Sequence, residues 1–240
     1  MTTLFISDLH VDEAHPDIAE QLHAFLTTEA REARALYILG DLFESWVGDD
    51  DPDAAKRTVV AALRATVAAG TPCFFMRGNR DFLIGEGFAR DSGCTVLDDP
   101  ASVELYGERV LLMHGDTLCT DDREYQSFRR MVRDPQWQSA FLAQSLQQRL
   151  AQARAARDAS RARTSRLSEE IMDVNAGAVQ AALRGSDARI LLHGHTHRPA
   201  VHRFDAGGRA ATRIVLGDWY TQGSVLRWDA GGFALETLPR

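Results

Sequence analysis

The chain has 240 residues, 45% of them hydrophobic and 25% charged, with a formal net charge of −7. That length and composition support one substantial core and fit one domain with an insertion better than two independent domains, and the acidic balance argues against a nucleic-acid partner. Cys73, Cys94 and Cys119 are odd in number and two lie in apolar or motif segments, which suits a reducing compartment rather than a disulfide framework.

The N-terminus enters a strand at once, with no basic region or apolar signal core, and no run approaches the roughly 18 apolar residues of a membrane span. A cytosolic or peripheral protein is expected. In chain order, Leu4 to Ser7, Ala35 to Leu39, Cys73 to Met76, Val110 to Met113 and Ile190 to Leu192 read as buried strands. Helices are expected near Asp17 to Glu32, Ala54 to Ala69 and Phe82 to Asp91. Thr212 to Leu216, Gly223 to Trp228 and Phe233 to Leu238 are β-rich runs between turn signals. They are expected to complete a second sheet, with residues 1 to about 122 forming the first half of the fold.

Each buried strand ends in a polar cluster: Asp8-Leu9-His10, Gly40-Asp41, Gly78-Asn79-Arg80-Asp81, His114-Gly115-Asp116 and His193-Gly194-His195-Thr196-His197. Strand carboxyl ends are where open sheets place ligands, so one pocket can collect all five. A lone Asp-x-His or Gly-Asp arises often by chance as a cap or turn. Five at consistent strand ends do not. His15, His23 and His202 lack such company and read as surface or packing histidines.

Mixed Asp, Asn and His donors without thiolate suit manganese, iron or zinc better than a soft metal or a calcium cage, and manganese is preferred here. Two such ions roughly 3.5 to 4 Å apart supply the positive charge and the hydroxide that attack on an anionic phosphorus requires. Asp8 and His10, two apart on an extended segment, are expected to leave on the same side of the chain, and His195 and His197 repeat that spacing. Asp41 has two oxygens to share between ions. The expected sets are Asp8, His10, Asp41 and His197 around one metal, and Asp41, Asn79, His114 and His195 around the other. Gly40, Gly78, Gly115 and Gly194 are expected to make tight turns that bring backbone close to the ions.

Together these motifs resemble the calcineurin-like metallophosphoesterase superfamily over nearly the whole chain. The resemblance implies an α/β fold, a four-layer αββα sandwich, with a dimetal site at one edge. One departure is informative. Most members read Gly-Asn-His-Asp or Gly-Asn-His-Glu at the third motif, where the His is held to protonate a poor leaving group; here the residue is Arg80. An arginine stays protonated and cannot act as the acid, but it can clamp a phosphate bidentately. An anhydride, whose phosphate leaving group departs without a proton, fits that exchange better than a monoester.

Within the superfamily, the stretches Tyr37 to Phe43, Gly48 to Asp51, Gly78 to Leu83, Met113 to Asp122, Ile171 to Asn175 and His193 to Ala200 resemble the family of UDP-2,3-diacylglucosamine pyrophosphohydrolases of lipid A synthesis. That resemblance implies water attack on the α-phosphorus, release of UMP and 2,3-diacylglucosamine 1-phosphate, and work at the cytoplasmic face of the inner membrane as a peripheral protein. No obligate protein partner is implied. It also implies catalytic roles for Asp41, Asn79, Arg80 and His195, and substrate contacts from Asn79, Arg80, Asp122, Tyr125, Ser160 and His195. Where an Asn and a Lys are expected in the inserted segment, this chain has Thr164 and Leu167. Arg166, next to Leu167, is the proposed substitute for the missing cation.

From Gln126 to Ser168 nine arginines face only Asp134 and Asp158, so this segment is strongly basic within an acidic protein. Trp137, Phe141, Leu142, Leu146 and Leu150 stand at near-helical spacing, and Arg154, Arg157 and Arg161 continue a related face. One reading is a helical cap, residues 123 to 168, over the dimetal site, whose apolar surface takes acyl chains and whose arginines, Arg157 among them, hold phosphates. The other is an ordinary amphipathic helix with a solvated arginine face. Trp46 fits the apolar wall of such a cap or the core equally well. Two rival functions share the fold: a nucleotide-processing phosphodiesterase or nuclease, expected to keep a His at position 80, and a scaffold, expected to lose metal ligands.

Overall fold

A computed structural model of the protein describes residues 1–164 and 169–239. The described residues form eleven strands, β1 (Thr3–Ile6), β2 (Ala35–Leu39), β3 (Cys73–Met76), β4 (Thr95–Leu97), β5 (Ala101–Leu105), β6 (Glu108–Leu112), β7 (Ile190–His193), β8 (Ala200–Asp205), β9 (Ala210–Val215), β10 (Gly223–Asp229) and β11 (Gly232–Leu238). Around them lie α1 (Pro16–Thr27), α2 (Glu29–Glu32), α3 (Ala54–Ala68), α4 (Glu86–Ser92), α5 (Arg123–Val132), α6 (Pro135–Leu142), α7 (Leu146–Thr164), α8 (Glu169–Met172) and α9 (Ala176–Ser186).

Two sheets stack face to face. The first runs β11-β10-β1-β2-β3-β4 and the second β5-β6-β7-β9-β8. Alternation along the strands builds the layers. On β1 and β2, Leu4, Ile6, Leu36 and Ile38 join the cluster under α1, α3 and α4, whereas Phe5, Tyr37 and Leu39 face the second sheet. On the other side, Leu111 and Leu191 meet Val179 and Leu183 of α9. Each central strand is therefore buried on both faces, which is why its sequence reads as a continuous apolar run. The result is the expected four-layer α/β sandwich.

The tail departs from expectation. Only β9 enters the second sheet; β10 pairs antiparallel with β1, Leu4 opposite Arg227, and carries β11 with it into the first sheet. Conversely β5 and β6 belong to the second sheet, so residues 1–122 are not one half of the sandwich. The edge strand β8 escaped the sequence reading because most of its side chains are exposed and carry little periodic signal. The helix expected from Phe82 begins only at Glu86: Arg77 Nε donates to the Ile84 carbonyl at 2.6 Å and Ile84 N to Asp81 O at 3.0 Å, which holds the intervening loop in turns.

The basic segment forms three helices rather than one stripe. The chain breaks between Leu142 and Leu146, where Ser145 and Gln148 exchange hydrogen bonds at the start of α7. Helix α7 is fastened to the body by Arg149, buried, which donates to Val47 O at 2.6 Å and to both oxygens of Asp50 at 2.7 and 2.5 Å. Arg163 at its far end pairs with Asp122 and Glu124.

Candidate dimetal centre

The parallel strands β1, β2 and β3 end on the same edge as β6 and β7, so the loops after five strands converge. All seven expected ligands meet there. The first sheet brings Asp8, His10, Asp41 and Asn79, and the second brings His114, His195 and His197. His114 crosses between the sheets, its Nδ1 2.9 Å from the Leu39 carbonyl.

Five of the seven stand in the left-handed backbone region: Asp8 (φ 56°), His10 (53°), Asp41 (52°), His195 (67°) and His197 (55°). For a side chain with a Cβ this costs on the order of 1–3 kcal/mol per residue and persists only where the surroundings enforce it. This corrects the extended-segment geometry expected for Asp8 and His10. Both leave the strand in left-handed turns, and loop pairing aims them, with Asp8 N donating to Gly40 O at 3.1 Å and His10 N to Asp41 O at 3.0 Å. Two glycines make room. A Cβ on Gly78 would strike Asp41 Oδ1 and N, and one on Gly194 would strike Asp8 Oδ2 and Ser7 Oγ.

The donor atoms fall into two overlapping groups. Asp8, His10 and His197 have ligand atoms within 4.8 Å of one another, as have Asp8, Asp41 and His114. Asp41 lies between them, Oδ2 3.8 Å from His10 Nε2 and Oδ1 3.8 Å from His114 Nε2. Asn79 Oδ1 stands 2.9 Å from His114 Nε2 and 2.8 Å from His195 Nδ1. Asp8 Oδ1 is buried without a hydrogen-bond partner among the described residues, and His197 Nε2 lies 3.4 Å from it.

The electrostatics are those of a site built around cations. Burial disfavours the Asp8 charge, but His197, with His114 and His10, holds the carboxyl well below the usual range. Burial likewise opposes a charged His114, yet Asp41, Asp116 and Asp8 push it up to about 9. His195 is pulled down to about 4 by burial, helped by His114. Carboxylates and imidazoles buried this densely are costly unless a cation compensates them. Hard oxygen and imidazole donors without thiolate fit divalent ions of the manganese, iron or zinc kind.

Several supporting residues carried no assignment from sequence. Asp81, fully buried, accepts from the backbone N–H of Gly78 and Leu42 at 2.8 Å and of Asp41 at 3.3 Å, so it holds two of the ligand loops together. Glu44 accepts from His10 Nδ1 at 2.9 Å. Asp116 accepts the Tyr125 hydroxyl at 2.8 Å and Arg129 Nε at 2.7 Å. Tyr125 in turn stacks on His195, centroids 5.9 Å apart. Asp81 and Asp116 sit inside the quoted motifs and were open to this reading; Glu44 had no local signal.

A cavity of about 490 Å³ opens from the ligand cluster under α5–α7. Asn79, Arg80 and Tyr125 lie at its ligand end; Trp46, Phe82, Leu83, Phe128, Trp137 and Phe141 form an apolar wall; Arg157 and Ser160 reach it from α7. Arg80 N donates to Asp41 Oδ1 at 2.7 Å. Trp46 serves both expected roles, buried in the core and lining this wall. Asp122 caps α5 through Tyr125 N at 3.0 Å and is engaged by Arg163. The Thr164 hydroxyl is turned back to the Ser160 carbonyl at 3.0 Å. Arg166 and Leu167 lie outside the described residues. His15, His23 and His202 are exposed and stand apart from the cluster.

Residues 1–199 match the family described as Calcineurin-like phosphoesterase, and the chain belongs to that family. It is 53% identical over 247 residues to a UDP-2,3-diacylglucosamine hydrolase of Stenotrophomonas maltophilia strain K279a, covering 100% of both chains. It is 55% identical over 243 residues to a protein of the same name from Xanthomonas oryzae pv. oryzae strain PXO99A, covering 98% of each. Among solved structures, an archaeal phosphodiesterase shares the fold with a TM-score of 0.51 at 13% identity, over 99% of this chain and 100% of the other. Vacuolar protein sorting 29 from Cryptosporidium parvum does so with a TM-score of 0.50 at 13% identity, over 100% and 98%.

Proposed function

We propose that this protein hydrolyses the pyrophosphate bond of UDP-2,3-diacylglucosamine, water attacking the α-phosphorus to release UMP and 2,3-diacylglucosamine 1-phosphate in lipid A synthesis. The observation that carries the reading is the join of a buried ligand cluster to an apolar cavity through Asn79 and Arg80. A nucleotide diphosphate at the cluster would leave acyl chains along Trp137, Phe141 and Phe128. The printed names of relatives at 53% and 55% identity support the same substrate.

Asp8, His10, Asp41 and His197 would hold one divalent ion and Asp41, Asn79, His114 and His195 the other, manganese being preferred. Those ions would neutralise the phosphate charge and ease generation of the attacking hydroxide. The chain's own groups do the rest. The Arg80 guanidinium clamps the diphosphate and does not serve as an acid, which an anhydride does not need. His195, kept neutral by burial and held by Asn79 and Tyr125, lines the reacting phosphate. Helices α5–α7, within the segment 123–168, act as a cap over the active site that shields the reaction from bulk water and reads the acyl chains, with Ser160, Arg157 and Asp122 at its rim.

No helix among the described residues is long and apolar enough to cross a membrane. We place the protein in the cytoplasm, at the inner-membrane surface where such a lipid is found, with the membrane as a peripheral contact. The test is UMP release from UDP-2,3-diacylglucosamine with and without Mn²⁺, beside UDP-N-acetylglucosamine and a generic phosphomonoester. Metal-dependent release from the diacylated substrate alone is expected; comparable cleavage of the controls would leave only a broad phosphoesterase.

A further inference from the structure

Glu44 is buried, 5% exposed, and its two oxygens serve different parts of the molecule. Oε2 takes His10 Nδ1 at 2.9 Å. Oε1 faces Arg157 Nη1 and Arg161 Nη2 of α7, each at 3.6 Å. The first contact is a full hydrogen bond; the second pair is ionic attraction without one. Arg157 Nε is also buried and has no hydrogen-bond partner among the described residues. The middle of α7, between its anchors at Arg149 and Arg163, thus rests over one carboxylate that also orients a candidate metal ligand.

We propose that Glu44 is a positioning residue that couples metal binding to the seating of α7. The inference rests on the dimetal reading above but not on the substrate. With Nδ1–H held by Glu44, His10 presents the Nε2 lone pair toward Asp41 and His197. With an ion held at Nε2, the His10 ring would be polarised, its Nδ1–H bond to Oε2 would strengthen, and Glu44 would be fixed in the orientation that draws Arg157 and Arg161 down. Coupling is reciprocal, so a seated α7 holds Glu44 on His10 and raises affinity for the ion. Arg157, which lines the cavity, remains available to an anion entering there.

The test uses full-length Glu44→Ala and Glu44→Gln, with Mn²⁺ affinity measured by calorimetry and α7 seating measured by the rate of tryptic cleavage at Arg154, Arg157 and Arg161. Wild-type protein is expected to be cut more slowly when Mn²⁺ is present. Glu44→Ala is expected to lose at least tenfold in affinity at one of the two ions and to lose the protection. Glu44→Gln keeps an acceptor for His10 but no charge for the arginines, so it also loses protection while staying folded by circular dichroism. A fall of less than tenfold in Glu44→Ala, metal-independent cleavage of the wild type, or Mn²⁺ protection of either variant equal to wild type would overturn the proposal. None of these readouts needs the lipid, so failure of the substrate reading would show separately, as absent UMP release by a protein that still behaves as described.

Discussion

Replacing Gly78 with alanine offers a sharp probe of the centre. The added Cβ would overlap Asp41 Oδ1 and N and lie 2.8 Å from Asp41 Cγ, closer than real Cβ atoms approach. Neither neighbour can yield freely. The Asp41 backbone is pinned at φ 52°, and its N–H and that of Gly78 both point to Asp81 Oδ1, at 3.3 and 2.8 Å. Forcing a methyl into such a site costs about 1–3 kcal/mol, a drop in Tm of roughly 2–4 °C per kcal/mol at this chain length. The larger effect is on chemistry, because Asp41 must retreat by something near 1 Å and a displacement of that size costs about 100-fold in rate. The assay pairs metal content of the purified variant with initial rates of UMP release. Gly185→Ala is the control: it lies in α9 with nothing within 4 Å of its would-be Cβ, and it should be neutral or stabilising by up to about 1 kcal/mol. A Gly78→Ala protein with two bound ions and more than a third of wild-type activity would refute the reasoning.

Three other changes have definite expected outcomes. His114 in the metal-free protein is raised to about 9 by Asp41, Asp116 and Asp8 against the opposing effect of burial, so a proton must leave before it can ligate, and apparent Mn²⁺ affinity should rise by up to about tenfold per pH unit from pH 7 to 9. The same shift stabilises the metal-free fold fully below the ordinary imidazole pKa and loses that contribution as pH rises through about 9, so apo Tm should fall over that window; a flat affinity and a flat Tm would contradict it. Phe128, 44% exposed at the cavity wall, gives up about 1.5–3 kcal/mol of chain burial on truncation, so Phe128→Ala should lower kcat/KM for the diacylated substrate by roughly tenfold or more with metal content unchanged. Arg80→Lys keeps the charge and loses the planar fork, and a fall of at least tenfold in kcat/KM is expected; full activity would remove the bidentate clamp from the account.

The buried strands and their polar ends were legible because a strand covered on both faces is apolar throughout and stops abruptly where loops face a pocket. The structure brings together the seven residues that residue type and spacing singled out, although the spacing argument for Asp8 and His10 used the wrong backbone. The left-handed turns at Asp8, His10, Asp41 and His195 are tied by hydrogen bonds to Gly40, Asp41, Asp81 and Asp8, residues remote in sequence, and leave no local trace. Sheet membership of β10 and β11 was hidden for a similar reason: period-two alternation says that a strand has a buried face but not which sheet buries it. Glu44 and Asp81 act through loops brought together only by the fold. The break between Leu142 and Leu146 interrupts an apolar pattern that continues across it, since Phe141 of α6 and Leu146 and Leu150 of α7 pack on one core.

The most direct test of the central claim is hydrolysis of UDP-2,3-diacylglucosamine in ¹⁸O-labelled water with Mn²⁺, followed by mass spectrometry of both products. Attack on the α-phosphorus predicts one ¹⁸O in UMP and none in the lipid phosphate. Label in 2,3-diacylglucosamine 1-phosphate, or no metal-dependent hydrolysis at all, would contradict it.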